Sequence, residues 1–149
     1  MPTVVTVPDE YGYVLLAATS TFFVNTLHAI LTVTARKAAG QKYPIAYASN
    51  EVAEKDRKAY LFNCAQRAHA NFTENLTPFL GALLIGGLKY PDAAAGLGAT
   101  WSLCRAAYAI GYSKKGPEGR VIGGTIASLS DLILKFMALS AGVGLALGW

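Results

Sequence analysis

The chain has 149 residues, of which 53% are hydrophobic and 15% charged. An average soluble domain carries about 25% charged residues, so the composition leans towards a membrane protein. The net charge of +4 is modest and the basic residues form no continuous stripe, which argues against a nucleic-acid surface and leaves a single domain over residues 1–149.

The N-terminal "MPTVVTVPDE" has no basic stretch ahead of the first apolar run, so that run is expected to be a retained anchor and not a cleaved signal. A helix needs about 20 mostly apolar residues to cross a bilayer. Four stretches meet this: residues 11–35, 60–88, 93–112 and 121–148. Asn25 and His28 interrupt the first, "RAHANFTEN" stands at the front of the second, the third is rich in Ala and Gly, and Asp131 and Lys135 break the fourth. The connections are a charged segment around "EVAEKDRK", a "KYPD" turn and the loop "SKKGPEG". Pro91 ends one helix and starts the next. The spans are apolar nearly all round and no internal repeat occurs, so the expected fold is all-α, an integral membrane four-helix bundle. Gly96, Gly98, Gly142 and Gly144 are expected to permit close helix packing. Cys64 and Cys104 lie inside apolar stretches without CxxC or Cys/His spacing, so neither a disulfide nor a metal site is expected.

Basic residues set the orientation. Arg36, Lys37, Lys42, Lys55, Arg57 and Lys58 flank or occupy the first loop, and Lys114, Lys115 and Arg120 the third. The opposite side has Lys89, with Asp9 and Glu10 at the N-terminus. The positive-inside rule then places loops one and three in the cytosol. The endoplasmic reticulum membrane is the expected compartment, with plasma and outer mitochondrial membranes compatible. The sequons at Asn71 and Asn75 fall within a span near its cytosolic end, so glycosylation is not expected.

At about 100° per residue, Arg67, Asn71 and Glu74 fall within roughly 60° of helical arc, forming one polar stripe, while His69 points elsewhere. In the third span Arg105, Tyr108 and Tyr112 share one flank. Arg36 ends the first span and Arg120 precedes the fourth. By the predicted topology all these groups occupy the cytosolic half of the bundle. Ionisable residues inside a membrane are costly and point to a functional site. The collection is net positive, with one acid and two phenols, which suits a small anionic ligand whose carboxylates are gripped by guanidinium forks; Glu74 suits an ammonium group. A plainer alternative has Arg67 and Glu74 neutralising each other or snorkelling, with the tyrosines in an interfacial belt.

"FNCAQRAHANFTENLTPFL" with "RAAYAIGY" resembles the MAPEG superfamily, membrane proteins of eicosanoid and glutathione metabolism. "EYGYVLL", "KYPIAYAS" and "GLGATW" resemble its microsomal glutathione S-transferase 3 branch. The resemblance implies a homotrimer of four-helix subunits in which glutathione, a co-substrate and not a metal-dependent cofactor, binds between neighbours on the cytosolic side. It implies that Arg67, Asn71, Glu74, Tyr108 and Tyr112 bind glutathione and that Arg36 reaches the ligand from the adjacent subunit. His69 matches a position that is polar and ligand-facing in some members. Arg120 is the counterpart of the arginine that activates the thiol, although it lies eight residues beyond Tyr112 where the leukotriene C4 synthase pattern has seven. That pattern also has a tyrosine where this chain has Asn75, and the C-terminal "LALGW" lacks the cysteines of some relatives. The implied activity is transfer of glutathione to lipophilic electrophiles, with glutathione-dependent reduction of lipid hydroperoxides. Membrane lipid surrounds the protein, and nucleic acid is not a partner. Two alternatives stand: a non-catalytic lipid-presenting scaffold resembling the five-lipoxygenase-activating protein, and a small transporter using Asn25, His28, Asp131 and Lys135. Retention of the Arg/Asn/Glu and Tyr/Tyr set argues against the first. The lack of broken helices or an inverted repeat argues against the second, leaving Asp131 and Lys135 as an intramembrane ion pair.

Overall fold

The computed structural model describes residues 6–148; the first five residues and Trp149, on which part of the retained-anchor and C-terminal readings rests, lie outside the described residues. The described residues are helical, with no strand among them. Helix α1 runs from Tyr11 to Ala38, α2 from Asn50 to Lys55, α3 from Arg57 to Gly87, α4 from Pro91 to Lys115 and α5 from Val121 to Leu147; a 3-10 turn, Pro117–Arg120, leads into α5.

Local chemistry sets the ends. Helix α1 stops at Gly40, whose φ of 64° suits glycine, with Gln41 N–H donating to the Arg36 carbonyl and Gly40 N–H to that of Lys37 at 3.1 Å each. This pair of bonds satisfies carbonyls the helix leaves open. Ser49 caps α2 through the Val52 N–H, Asp56 caps α3 through the Lys58 N–H, and Pro91 stands in the first turn of α4 where its missing N–H costs nothing. The short α2 lies within the stretch read from sequence as a plain charged connection.

Helices α3 and α4 pack against each other, and each also packs against α1 and α5; α1 and α5 have no comparable contact with each other. The core between them is aromatic. Phe79 stacks on Trp101 with ring centroids 3.7 Å apart, and Phe72 leans on the same indole at 5.6 Å. Val14, Leu83 and Leu134 are fully buried beside them. A second cluster joins Cys64, Ala68, Tyr108 and Tyr112 near the loop end.

Glycines govern how closely α5 approaches. A Cβ at Gly123 would lie 2.6 Å from the Cys104 carbonyl oxygen and 2.9 Å from the Tyr108 nitrogen. Gly98 similarly faces Leu83 and Ala17. Gly96 and Gly142 instead face open space within this chain, so the expectation that they mediate packing does not hold there.

Two helical segments, Tyr11–Ala38 and Pro117–Leu147, are long and apolar enough to cross a membrane. Both are poorly buried: Leu16, Phe23, Ile122 and Phe136 are among many large apolar side chains left more than half exposed. Apolar side chains exposed in this number mark surface that lipid or another protein covers. Of the four spans expected, the other two, on α3 and α4, are long enough but less apolar, because the polar residues described next lie on them.

Candidate functional site

Helix α3 carries a run of polar side chains, and each finds a different partner. The Arg67 guanidinium donates two parallel bonds to Glu74, at 2.8 Å to Oε1 and 3.3 Å to Oε2. Their side chains are about half exposed, 47% and 54%. The stripe therefore closes on itself at its outer edge, as in the plainer alternative above. Asn71 turns inward, and its Oδ1 accepts a bond of 2.9 Å from Arg105 on α4. His69 lies off the stripe, with its Nε2 3.2 Å from Asn25 of α1. Pro78, one turn beyond Glu74, has no N–H to give to the Glu74 carbonyl, which frees that carbonyl at the same level.

Helix α4 supplies a buried cation and two phenols. Arg105 is 4% exposed and sits among aromatic rings: its Cζ is 4.6 Å from the Tyr108 centroid, 5.5 Å from Trp101 and 5.8 Å from Phe72. Such contacts contribute about 2 kcal/mol each when desolvated, which offsets part of the cost of burying the charge. Tyr108 meets Tyr112 edge-on at 5.7 Å. Gly124 of α5 makes room for the Tyr108 ring, while Gly123 lets the α4 backbone at Cys104 and Tyr108 come close.

The 3-10 turn brings Arg120 over this pair. Its Cζ stands 4.8 Å from the Tyr112 ring centroid, and Nη1 donates to the Tyr112 hydroxyl at 3.4 Å. Gly111 of α4 and Gly119 of the turn touch backbone to backbone, which fixes the turn, and with it Arg120, against α4.

Arg36 is placed differently. It is 7% exposed, donates to the Ile45 carbonyl at 2.6 Å, and lies between the rings of Tyr43 and Phe62. In this chain it holds the first loop against α1 and α3. Asn63 clamps the same loop through reciprocal bonds with the Ala48 backbone at 2.8 and 2.9 Å, a role with no motif to betray it in the sequence.

The candidate residues divide between cavities. One of about 860 Å³ opens beneath α2, bordered by Arg57, Tyr60, Cys64, Arg67 and Tyr112. A second of about 470 Å³ lies between α3, α4 and α5, bordered by Asn71, Arg105, Tyr108 and Arg120. A deeper one of about 120 Å³ shares Asn71, Arg105 and Ser128 with the second and adds Asn75, Trp101 and Asp131. Glu74, His69 and Arg36 border none of these three. The Arg120–Tyr112 contact joins the first cavity to the second. Within one chain, then, Asn71, Tyr108 and Arg120 converge on one space together with Arg105. Arg67 and Tyr112 face a neighbouring space.

This chemistry favours anions. Two guanidinium groups border the second cavity without a carboxylate, and an amide and a phenol accompany them. Among the described residues no three His, Cys, Asp or Glu side chains gather in a way that would hold a metal ion. A family model described as the MAPEG family matches residues 14–140, which takes in all of α3 and α4 and most of α1 and α5.

Proposed function

The chain belongs to the MAPEG family, and from that premise we propose that it is a membrane-bound glutathione transferase with glutathione-dependent peroxidase activity. The family includes glutathione transferases and peroxidases as well as non-enzymatic members. The observation that carries the catalytic reading is the pairing of Arg105 and Arg120 around one cavity with Asn71 and Tyr108. Glutathione brings two carboxylates and a thiol. Guanidinium groups match the carboxylates in bidentate geometry, and one held near the sulfur stabilises the thiolate.

In this reading Arg120 activates the thiol. A free alkyl thiol with a pKa of about 8.5 is mostly protonated at neutral pH, and its thiolate is the nucleophile. A guanidinium stays charged at every working pH, and a cation beside the sulfur lowers the thiol pKa. The thiolate attacks an electrophilic carbon and expels its leaving group. With a hydroperoxide it attacks the outer oxygen, releasing the alcohol and a sulfenic acid that a second glutathione converts to disulfide and water. Asn71, Tyr108, Tyr112, Arg67 and Glu74 hold the tripeptide. The Arg67–Glu74 pair opens when ligand arrives, the guanidinium taking a carboxylate and Glu74 the ammonium. Arg36 leaves the Ile45 carbonyl to reach the ligand of the adjacent subunit, and His69 adds a polar contact.

The wider arrangement follows the same premise. The four long helices form a transmembrane bundle of the microsomal glutathione S-transferase 3 type, with loops one and three in the cytosol. Three copies assemble, and the lipophilic substrate enters from the bilayer between them, in the endoplasmic reticulum membrane. The second reading, a lipid-presenting scaffold, is favoured by one observation: Arg67 and Glu74 satisfy each other in the free chain. Calorimetry of the detergent-purified protein separates the two. The enzyme reading predicts saturable glutathione binding and turnover with a chloronitrobenzene or a lipid hydroperoxide. No heat of binding at millimolar glutathione leaves the scaffold.

A further inference from the structure

Arg105 and Asp131 lie at matching depths. Each is about 15 Å along its helix from the loop joining α4 to α5, and both border the 120 Å³ cavity. Each is also incompletely paired. Arg105 is 4% exposed; its Nη2 bonds Asn71, but its Nε has no protein partner. Asp131 is 7% exposed; its Oδ2 takes the Lys135 ammonium at 2.5 Å, but its Oδ1 has no protein partner. Among the described residues the ion pairs are Lys55–Glu51, Arg67–Glu74 and Lys135–Asp131, and none includes Arg105.

Such an arrangement is costly if left open. A buried polar atom without a partner keeps the full cost of losing its water, and a charged one pays more. The cavity supplies what closes it. A buried water needs roughly 10–15 Å³ of this kind of space and two to four polar partners, and Arg105 Nε–H and Asp131 Oδ1 are a donor and an acceptor. The Asn75 and Ser128 side chains complete a polar lining. A cation is disfavoured there by Arg105 and an anion by Asp131, so the occupant that fits is a neutral dipole of water size.

We propose that Asp131 is a positioning residue for Arg105, coupled to it through ordered water in the cavity between α3, α4 and α5. The carboxylate balances the guanidinium charge without an ion-pair contact. It leaves Nη2 on Asn71 and orients Arg105 towards the adjoining 470 Å³ space. Lys135 occupies the outer carboxylate oxygen, so Oδ1 stays turned inward. Helix α5 thus acts on polar side chains that α3 and α4 bring together. The functional consequence rests on the glutathione reading given above; the coupling itself does not.

A double-mutant cycle tests both levels, using wild type, Asp131→Asn, Arg105→Gln and the double variant as full chains in detergent. Thermal midpoints without ligand report the coupling. The expected result is non-additivity, with the double variant losing less than the sum of the single losses. Steady-state kinetics report positioning: Asp131→Asn raises KM for glutathione at least fivefold with kcat within twofold, and in the Arg105→Gln background the same change moves KM less than twofold. Asp131→Glu, which keeps the charge, recovers at least half of the lost affinity. Additive midpoints overturn the proposal, as does an unchanged KM in Asp131→Asn or one that rises equally without Arg105. If the wild type neither binds nor turns over glutathione, the proposed function fails, and the midpoint cycle alone decides whether Asp131 and Arg105 are coupled.

Discussion

Replacing Gly123 by alanine puts a methyl group 2.6 Å from the Cys104 carbonyl oxygen, 2.9 Å from the Tyr108 nitrogen and 3.2 Å from the Tyr108 Cα. All three are backbone atoms of α4, so no side chain can swing aside. Relief needs α5 to move away from α4 by nearly 1 Å. Overpacking of this kind costs about 1–3 kcal/mol, against a gain of about 1 kcal/mol from replacing a helical glycine by alanine. Because the contact is with backbone, the upper part of the range applies, and the net loss is about 2 kcal/mol. For a chain of this size that is a fall of roughly 4–8 °C in the midpoint. Gly142, on the same helix, meets nothing within 4 Å, so Gly142→Ala keeps the propensity gain and rises by a few degrees. Thermal unfolding of the detergent-purified variants is the assay. Equal shifts for the two alanines, or a rise for Gly123→Ala, would refute the packing argument. The same shift displaces Tyr108, so Gly123→Ala also weakens glutathione binding.

Phe79 is fully buried and stacked on Trp101, so Phe79→Ala costs about 3–5 kcal/mol, read as a midpoint loss in the same assay. Glu74→Gln breaks a half-exposed ion pair worth about 0–1 kcal/mol; it leaves the midpoint nearly unchanged but raises KM for glutathione, a split that a purely structural pair would not give. Turnover falls as pH drops through the pKa of the bound thiol, because protonation removes the nucleophile. Loss of the Arg120 charge raises that pKa, so in Arg120→Lys, which keeps a charge, the pH–rate profile stays near the wild type, whereas in Arg120→Gln it moves to higher pH.

Much of the helical layout was legible because four long apolar stretches are separated by Gly, Pro and charge, and each falls within a long helix to within one residue. The spacing of Asp131 and Lys135 likewise announced an ion pair, and the structure contains it. Other features depend on facing, which composition does not record. The first turns of α4 are alanine and glycine on nearly every side, so nothing in their letters separates Gly98, which is in contact, from Gly96, which is not. The letters around Arg36 also do not record that the loop after α1 folds back and offers it the Ile45 carbonyl and two rings. The stripe of Arg67, Asn71 and Glu74 was visible from helical spacing, but its division was not: Glu74 claims Arg67 at the surface, while Asn71 answers to Arg105 inside. Helix α2 escaped notice because six residues in a charged run, with only Ser49 to mark the start, carry no apolar period.

The central claim is that Arg120 turns bound glutathione into a thiolate. Ultraviolet difference spectra of glutathione added to the wild type and to Arg120→Ala at neutral pH test it most directly. The account predicts a thiolate absorbance that saturates with glutathione in the wild type and is absent from Arg120→Ala, with turnover lost in parallel. A thiolate signal and turnover of equal size in both proteins would contradict it.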